Sequence, residues 1–113
     1  MEPRPFRIET EFDGATTLVR VSGELDMFNA PQLRAALDGS QAVQFDLCDV
    51  SFMDSSGLHA VLHVRREVAA LGGSVHIVKV SPTVRRLFEI TGLQSMLPDG
   101  DAHRAQWSAA GGA

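Results

Sequence analysis

The segment SFMDSSGLHAVLHVRRE, residues 51–67, indicates the class of fold. An apolar run ends, an aspartate and two serines follow, and a glycine opens a run in which Leu58, Val61 and Leu62 recur near the helical period. A strand that passes through a short polar junction into a helix is typical of β-α-β units, whose strands are parallel. The segment predicts an α/β fold. It also raises the question of why a carboxylate stands beside two hydroxyls at the junction.

The flanking sequence continues this alternation of strands and helices. Residues 6–12 and 16–22 have strand-like patterns, and the Asp13-Gly14 turn between them predicts an antiparallel hairpin. The later predicted elements are a helix capped by Asn29 and ended by Gly39, a strand at 42–48, a helix from Ser55 to Gly72-Gly73, a strand at 74–80 and a helix from Ser81 to Gly92. The predicted order is β-β-α-β-α-β-α in a mixed sheet of four or five strands.

The strand at 42–48 also predicts where the helices lie. Val43, Phe45 and Leu47 alternate with Gln44 and Asp46, so this strand does not bury both faces equally. We therefore expect the helices mainly on one face of the sheet. We expect a single domain over 1–113, with its core at 6–98 and a short terminal helix and disordered tail at 99–113.

Composition narrows the classes of function. The net charge of −4 argues against a protein that binds nucleic acid directly, which would carry a basic stripe. The N-terminus has no apolar signal segment, and no apolar run approaches the ~20 residues that span a bilayer. Cys48 is the single cysteine, so no internal disulfide forms; we expect it in the core or at a strand end. We expect a cytoplasmic protein without membrane insertion.

The sequence contains no complete motif for a catalytic site or a metal site. Ser55 does not fit the G-x-S-x-G nucleophile elbow, because Met53 occupies the first glycine position. His59 and His63 lie on the helix that follows the serines and do not reach back over its start. Their four-residue spacing suits a metal, but no third ligand is evident. We predict no catalytic residue, no metal and no cofactor.

Two interpretations of Ser55 remain from the residues alone. A serine at a helix start is most often a cap. It is also a good phosphoacceptor, since the first turn of a helix tolerates a phosphate, and a phosphate beside Asp54 and Asp26 changes the local surface potential strongly. Ser55 and Ser56 could also divide these two roles.

Four blocks of the sequence resemble the STAS domain of bacterial anti-sigma factor antagonists: VSGELD at 21–26, SFMDSSGL at 51–58, GG at 72–73 and VRRLFEITGL at 84–93. The resemblance covers residues 6 to about 98 and implies a STAS-like fold. It also implies a small cytoplasmic partner-switching protein of transcription regulation, in stress response or sporulation signalling. Such proteins bind an anti-sigma factor serine/threonine kinase when unphosphorylated and so release a sigma factor. The kinase then phosphorylates them, and a serine phosphatase reverses this.

The resemblance assigns roles to individual residues. It implies that Ser55 is the phosphoacceptor, that Asp26 and Asp54 shape its surroundings, and that Ser56 and Gly57 continue the helix start. His59 stands where family members frequently have glycine, and we expect it to affect partner choice or the pH dependence of binding. The residues expected to contact the partner are Met27, Phe28, His59, His63 and Arg66.

Two alternatives remain beside this assignment. Met27 and Phe28 could pack beneath their loop, and the helix face after Ser55 could be merely solvated. The alternative function is a STAS accessory subunit of a transporter or signalling scaffold, which uses the same fold without a phosphoserine cycle.

Overall fold

A computed structural model describes residues 6–98. Over these residues the chain forms four strands, three α-helices and one 3₁₀ turn, in the predicted order. The elements are β1 (Arg7–Phe12), β2 (Thr17–Leu25), α1 (Ala30–Ala36), β3 (Ala42–Met53), α2 (Ser55–Ala70), β4 (Ser74–Val80), α3 (Pro82–Ile90) and the 3₁₀ turn at Gln94–Met96. The terminal helix and tail predicted at 99–113 lie outside the described residues.

The strands form one mixed sheet in the order β1-β2-β3-β4. β1 pairs antiparallel with β2, whereas β2 with β3 and β3 with β4 are parallel. Asp13 fixes the hairpin turn, because its Oδ1 accepts hydrogen bonds from the backbone N–H groups of Thr16 at 2.8 Å and Ala15 at 2.9 Å. These bonds lower the pKa of the Asp13 carboxyl. The predicted hairpin and the α/β class are confirmed.

One face of the sheet carries the core. α1 packs on α2, α2 packs on β3 and β4, and α3 packs on β3. The strand residues buried on this side are Val19, Val21, Val43, Phe45, Leu47 and Ile77. The opposite face carries charged and polar side chains, among them Arg20, which lies between Glu11 at 3.0 Å and Asp46 at 3.9 Å. The prediction that helices cover mainly one face is confirmed.

Two strands run further than the sequence pattern predicts. β2 extends to Leu25 instead of ending at residue 22, and β3 extends to Met53 instead of ending at residue 48. The parallel ladder continues through two register shifts, at each of which β3 contains one extra residue, with Glu24 opposite Phe52 and Leu25 opposite Met53. A shift moves later side chains to the other face, so the simple alternation ends before the strand does. The candidate site residues therefore follow the C-terminal ends of the two central strands, β2 and β3.

The start and end of α3 follow the sequence signals. The Ser81 hydroxyl accepts a hydrogen bond from the Val84 N–H at 3.3 Å and donates one to the Val50 carbonyl at 2.8 Å, which joins the helix to β3. Gly92 has φ +77°, and the Leu93 N–H folds back onto the Phe88 carbonyl at 2.7 Å. This is the expected glycine-ended helix terminus.

Candidate functional site

Asp54 caps the start of α2. Its Oδ1 accepts a hydrogen bond from the Gly57 N–H at 3.0 Å, and its backbone is extended, as at other helix caps. The Asp54 N–H in turn donates to the carbonyl oxygen of Leu25, the last residue of β2, at 3.4 Å. The junction between β3 and α2 therefore lies directly against the end of β2.

Gly57 makes this close approach possible. A Cβ built on Gly57 would overlap the Leu25 carbonyl oxygen and come within 3.0 Å of side-chain carbons of Leu25 and Met53. Contacts this short cannot be relieved by a flexible side chain, because the closest atom belongs to the backbone. Only glycine lets the first turn of α2 pack on the end of β2.

Ser55 is the first residue of α2 and is exposed, whereas Ser56 is half-buried. Asp54 supplies the cap, and none of the side-chain hydrogen bonds among residues 6–98 uses the Ser55 hydroxyl. The interpretation of Ser55 as a cap is therefore wrong. Asp and Ser are comparably good caps, and the aspartate stands at the position that faces the first-turn N–H groups. Ser55 is exposed, and its hydroxyl makes no hydrogen bond to another side chain or backbone group among residues 6–98.

Asp26 organises the neighbouring loop between β2 and α1. Its Oδ1 accepts hydrogen bonds from the N–H groups of Phe28 at 3.0 Å and Asn29 at 3.1 Å, and its carbonyl accepts one from Ala30 at 2.8 Å. Asn29 occupies the predicted N-cap position of α1, but its side chain makes no capping hydrogen bond and instead donates to the Glu24 carbonyl at 2.8 Å. Asp26, which lies three residues before Asn29, supplies the acceptor oxygen for the N–H groups of this turn.

The turn that Asp26 holds presents two large apolar side chains to solvent. Met27 is 63% exposed and Phe28 is 79% exposed, so neither packs beneath the loop. Phe52, near the end of β3 and opposite Glu24, is 46% exposed and adds a third apolar side chain near this edge. Phe52 is not among the predicted contact residues, because the predicted strand ends at residue 48. The β-rich run VSFM after Asp49 was the available signal.

The residues after Ser55 form a stripe along α2. His59, His63 and Arg66 follow Ser55 at spacings of 4, 8 and 11 residues, which places all four on one side of the helix. His59 and Arg66 are exposed. His63 is half-buried, and its Nε2 lies 3.2 Å from a carboxylate oxygen of Glu67 on the same helix. Three of the five predicted contact residues thus share one helix face with the candidate phosphoacceptor.

Ser55 lies on the exposed surface of the protein and outside its two best-formed clefts. A cleft of about 490 Å³ is lined by β4 residues and the segment 95–98, and a cleft of about 530 Å³ lies beside the β1–β2 hairpin; neither includes Ser55. Within residues 6–98, no cluster of three or more His, Cys, Asp or Glu side chains could hold a metal ion. No helix of that range is long and apolar enough to cross a membrane.

Cys48 differs from its prediction. It is exposed within β3, not buried in the core or placed at the strand end. The Asp46 side chain, which also accepts a hydrogen bond from the Cys48 N–H at 3.1 Å, raises the pKa of the thiol. Partial burial and the negative charges of Asp46 and Asp49 raise it further, to about 11. A thiol with a raised pKa is mostly protonated near neutral pH, so its reactive thiolate form is scarce.

The chain is similar to known proteins over most of its length. The model of the STAS domain family matches residues 7–105. The chain is 35% identical over 95 residues to the anti-sigma-B factor antagonist of Staphylococcus aureus (strain NCTC 8325 / PS 47), which covers 80% of this chain and 88% of the relative. It is 33% identical over 96 residues to the anti-sigma F factor antagonist of Lysinibacillus sphaericus, with 80% and 82% covered.

Solved structures show the same similarity. The anti-sigma factor antagonist SpoIIAA in its unphosphorylated form superposes with a TM-score of 0.73 at 30% identity, over 93% of this chain and 97% of that one. The Bacillus cell fate determinant SpoIIAA in the phosphorylated form superposes with a TM-score of 0.67 at 31% identity, over 80% and 88%. With its sequence, its fold and the family model in agreement, the chain belongs to the STAS-domain family of anti-sigma factor antagonists.

Proposed function

We propose that the protein is a phosphorylation-controlled anti-sigma factor antagonist. In the unphosphorylated state it binds an anti-sigma factor that is also a serine kinase, and so frees a sigma factor. Phosphorylation of Ser55 by that kinase ends the binding, and a serine phosphatase restores it. The observation that carries this proposal is that Ser55, the first residue of α2, is exposed, while the neighbouring Asp54 and not Ser55 caps the helix.

A phosphate on Ser55 leaves the fold intact. Ser55 is exposed, and the N-terminal end of a helix favours a negative charge. The added charge of about −1.5 to −2 at neutral pH stands beside Asp54, and the Leu25–Asp54 contact brings the Asp26 loop to the same edge. The main effect is a large change in surface potential. Like charges that meet at an interface cost several kcal/mol, which is enough to separate a complex.

The surface around Ser55 suits a protein partner. Met27 and Phe28 are exposed in the loop after β2, and the stripe with His59, His63 and Arg66 runs along α2. Aromatic residues, methionine and arginine are enriched at protein interfaces. We propose that the apolar pair and the α2 stripe form the docking surface for the kinase. Phosphorylation of Ser55 then adds its charge at the start of the α2 stripe, next to the junction that contacts the end of β2.

The relatives support this proposal. Two are antagonists of anti-sigma factors by name, and SpoIIAA is known in both unphosphorylated and phosphorylated forms. By similarity to them, we propose that this chain acts as a regulator and not as an enzyme. We also propose that it works in the cytoplasm, needs no cofactor of its own, and affects transcription without binding nucleic acid directly.

A binding experiment with defined phosphorylation states tests the proposal. Phosphoserine is installed at position 55 during translation, and the same is done at exposed Ser74, at the start of β4, as a matched control. Each protein is titrated calorimetrically against a purified anti-sigma factor kinase from the same genome, without ATP. We expect the unmodified and position-74 proteins to bind alike, and the position-55 protein to bind at least about tenfold more weakly. Equal affinity of all three would reject the switch.

A further inference from the structure

His59 lies one helical turn after Ser55, and both side chains are exposed. Side chains four residues apart on a helix are neighbours, with Cβ atoms about 5–6 Å apart. An anion that precedes a cation at this spacing is the more favourable order, because it also matches the helix dipole. A phosphate on Ser55 and an imidazolium at His59 would meet this condition.

The other charged groups near this part of α2 leave His59 available. Within residues 6–98, no carboxylate lies within ion-pair distance of His59, whereas His63 is held by Glu67 at 3.2 Å. The elements packed against α2, and their ends, carry several other charged or titratable groups. These are Asp26 before α1, Arg34 on it and Asp38 after it, Asp46, Cys48, Asp49 and Asp54 on or after β3, and His76 and Lys79 on β4. None of these forms an ion pair with His59 in this range. A phosphate on Ser55 would therefore meet a histidine at position 59 that no carboxylate in residues 6–98 already pairs with.

We propose that His59 is the counter-cation of a phosphoryl group on Ser55, so that the negative charge gained on phosphorylation depends on pH. The inference rests on the proposed function for its biological meaning, since it deepens the account of the same site. It concerns a residue to which none of the similarities described above assigns a role.

The net negative charge at the site decreases as the pH falls. A phosphoserine loses its second proton near pH ~6, so it carries less charge in acid, and an imidazolium beside it offsets part of the charge that remains. We expect phosphorylation to repel the partner less strongly as the pH falls, so the switched-off state becomes less complete in acid.

The titration of the phosphate measures this coupling directly. Phosphoserine is installed at position 55 during translation in the parent protein, in His59→Gln and in His63→Gln, and the ³¹P chemical shift is followed from pH 4.5 to 8. His63→Gln is the matched control, because it removes the same group one turn further along the stripe. Both histidines lie outside the core, so we expect each variant to fold, which circular dichroism verifies.

We expect the phosphate midpoint to lie about 0.15–0.4 pH unit lower in the parent than in His59→Gln, a change of about 1.4- to 2.5-fold in the ionisation constant. His63→Gln should match the parent. Equal midpoints in the parent and His59→Gln would overturn the proposal, as would an equal rise in both variants. Because no kinase takes part, this result is independent of the binding test. Failure of the kinase to recognise the protein would reject the proposed function and leave the measured coupling in place.

Discussion

The N–H of Asp54 donates a hydrogen bond to the carbonyl of Leu25 at 3.4 Å, and this contact joins the two loops that carry the candidate site. Asp26 follows Leu25 and holds the turn that exposes Met27 and Phe28. Ser55 follows Asp54 and begins α2. A phosphate on Ser55 would therefore stand on the junction that is bonded to the other loop, where we expect it to change the surface potential of the proposed docking surface.

Phe28 provides the most direct test of the apolar part of that surface. We expect Phe28→Asp to weaken kinase binding at least about tenfold, because exposed aromatic anchors contribute strongly at interfaces and a carboxylate would resist desolvation. Phe12→Asp is the matched control, since Phe12 is 71% exposed and lies on the β1–β2 hairpin, away from Ser55. Calorimetric titration of each variant with the kinase measures the two affinities. Normal binding by Phe28→Asp would remove this residue from the interface.

Asp26 should act through the shape of its turn. We expect Asp26→Ala to lower the free energy of unfolding by about 1 kcal/mol, because the N–H groups of Phe28 and Asn29 lose their acceptor. Urea denaturation measures this change, with Asp38→Ala, an exposed aspartate in the next loop, as control. Asp26→Asn retains an acceptor oxygen and should recover most of the stability. An unchanged unfolding midpoint for Asp26→Ala would contradict this role.

Gly57 should tolerate no side chain. Gly57→Ala places a methyl group against the Leu25 carbonyl, so the start of α2 must move away from β2. We expect a loss of about 2 kcal/mol or more in the free energy of unfolding, as for other overpacked positions. Ser56→Ala introduces the same residue in the same turn without this overlap, and should be nearly neutral. Equal urea midpoints for the two variants would show that the helix start adapts freely.

Cys48 should react slowly despite its exposure. Its thiol pKa is raised from 9.0 to about 11, so at pH 8 the reactive thiolate is scarce. We expect iodoacetamide to alkylate the folded protein about tenfold or more slowly than the urea-unfolded chain at the same pH. Asp46→Asn should speed the reaction, since Asp46 is the largest cause of the raised pKa, whereas Asp38→Asn should not. Fast alkylation of the folded parent would show that the thiol ionises more readily than this.

The sequence predicted the order of elements because alternation and glycine or serine boundaries are local signals. The hairpin at Asp13-Gly14 and the cap at Ser81 follow from such signals and are confirmed. The extension of β3 to Met53 was missed, because it depends on pairing with β2 through register shifts that no local pattern reveals. The exposure of Phe52 was missed for the same reason.

The division of roles at the site also needed the structure. Asp54 and Ser55 are adjacent, and either can cap a helix, so composition could not decide which one does. Only the placement of the Asp54 carboxylate against the Gly57 N–H shows that Ser55 is left free. Likewise, Asp26 and Asn29 both suit a turn, and the geometry selects Asp26. The exposed positions of Met27 and Phe28 depend on that turn.

Phosphosite mapping by mass spectrometry tests the central claim most directly. The protein is isolated from its native cells at several stages of growth and stress, together with a Ser55→Ala variant. The account predicts a phosphoryl group on Ser55 whose occupancy changes with condition and which is absent from Ser55→Ala. An unmodified Ser55 in every condition, even with a co-expressed candidate kinase, would contradict the switch and favour an accessory-subunit role without a phosphoserine cycle.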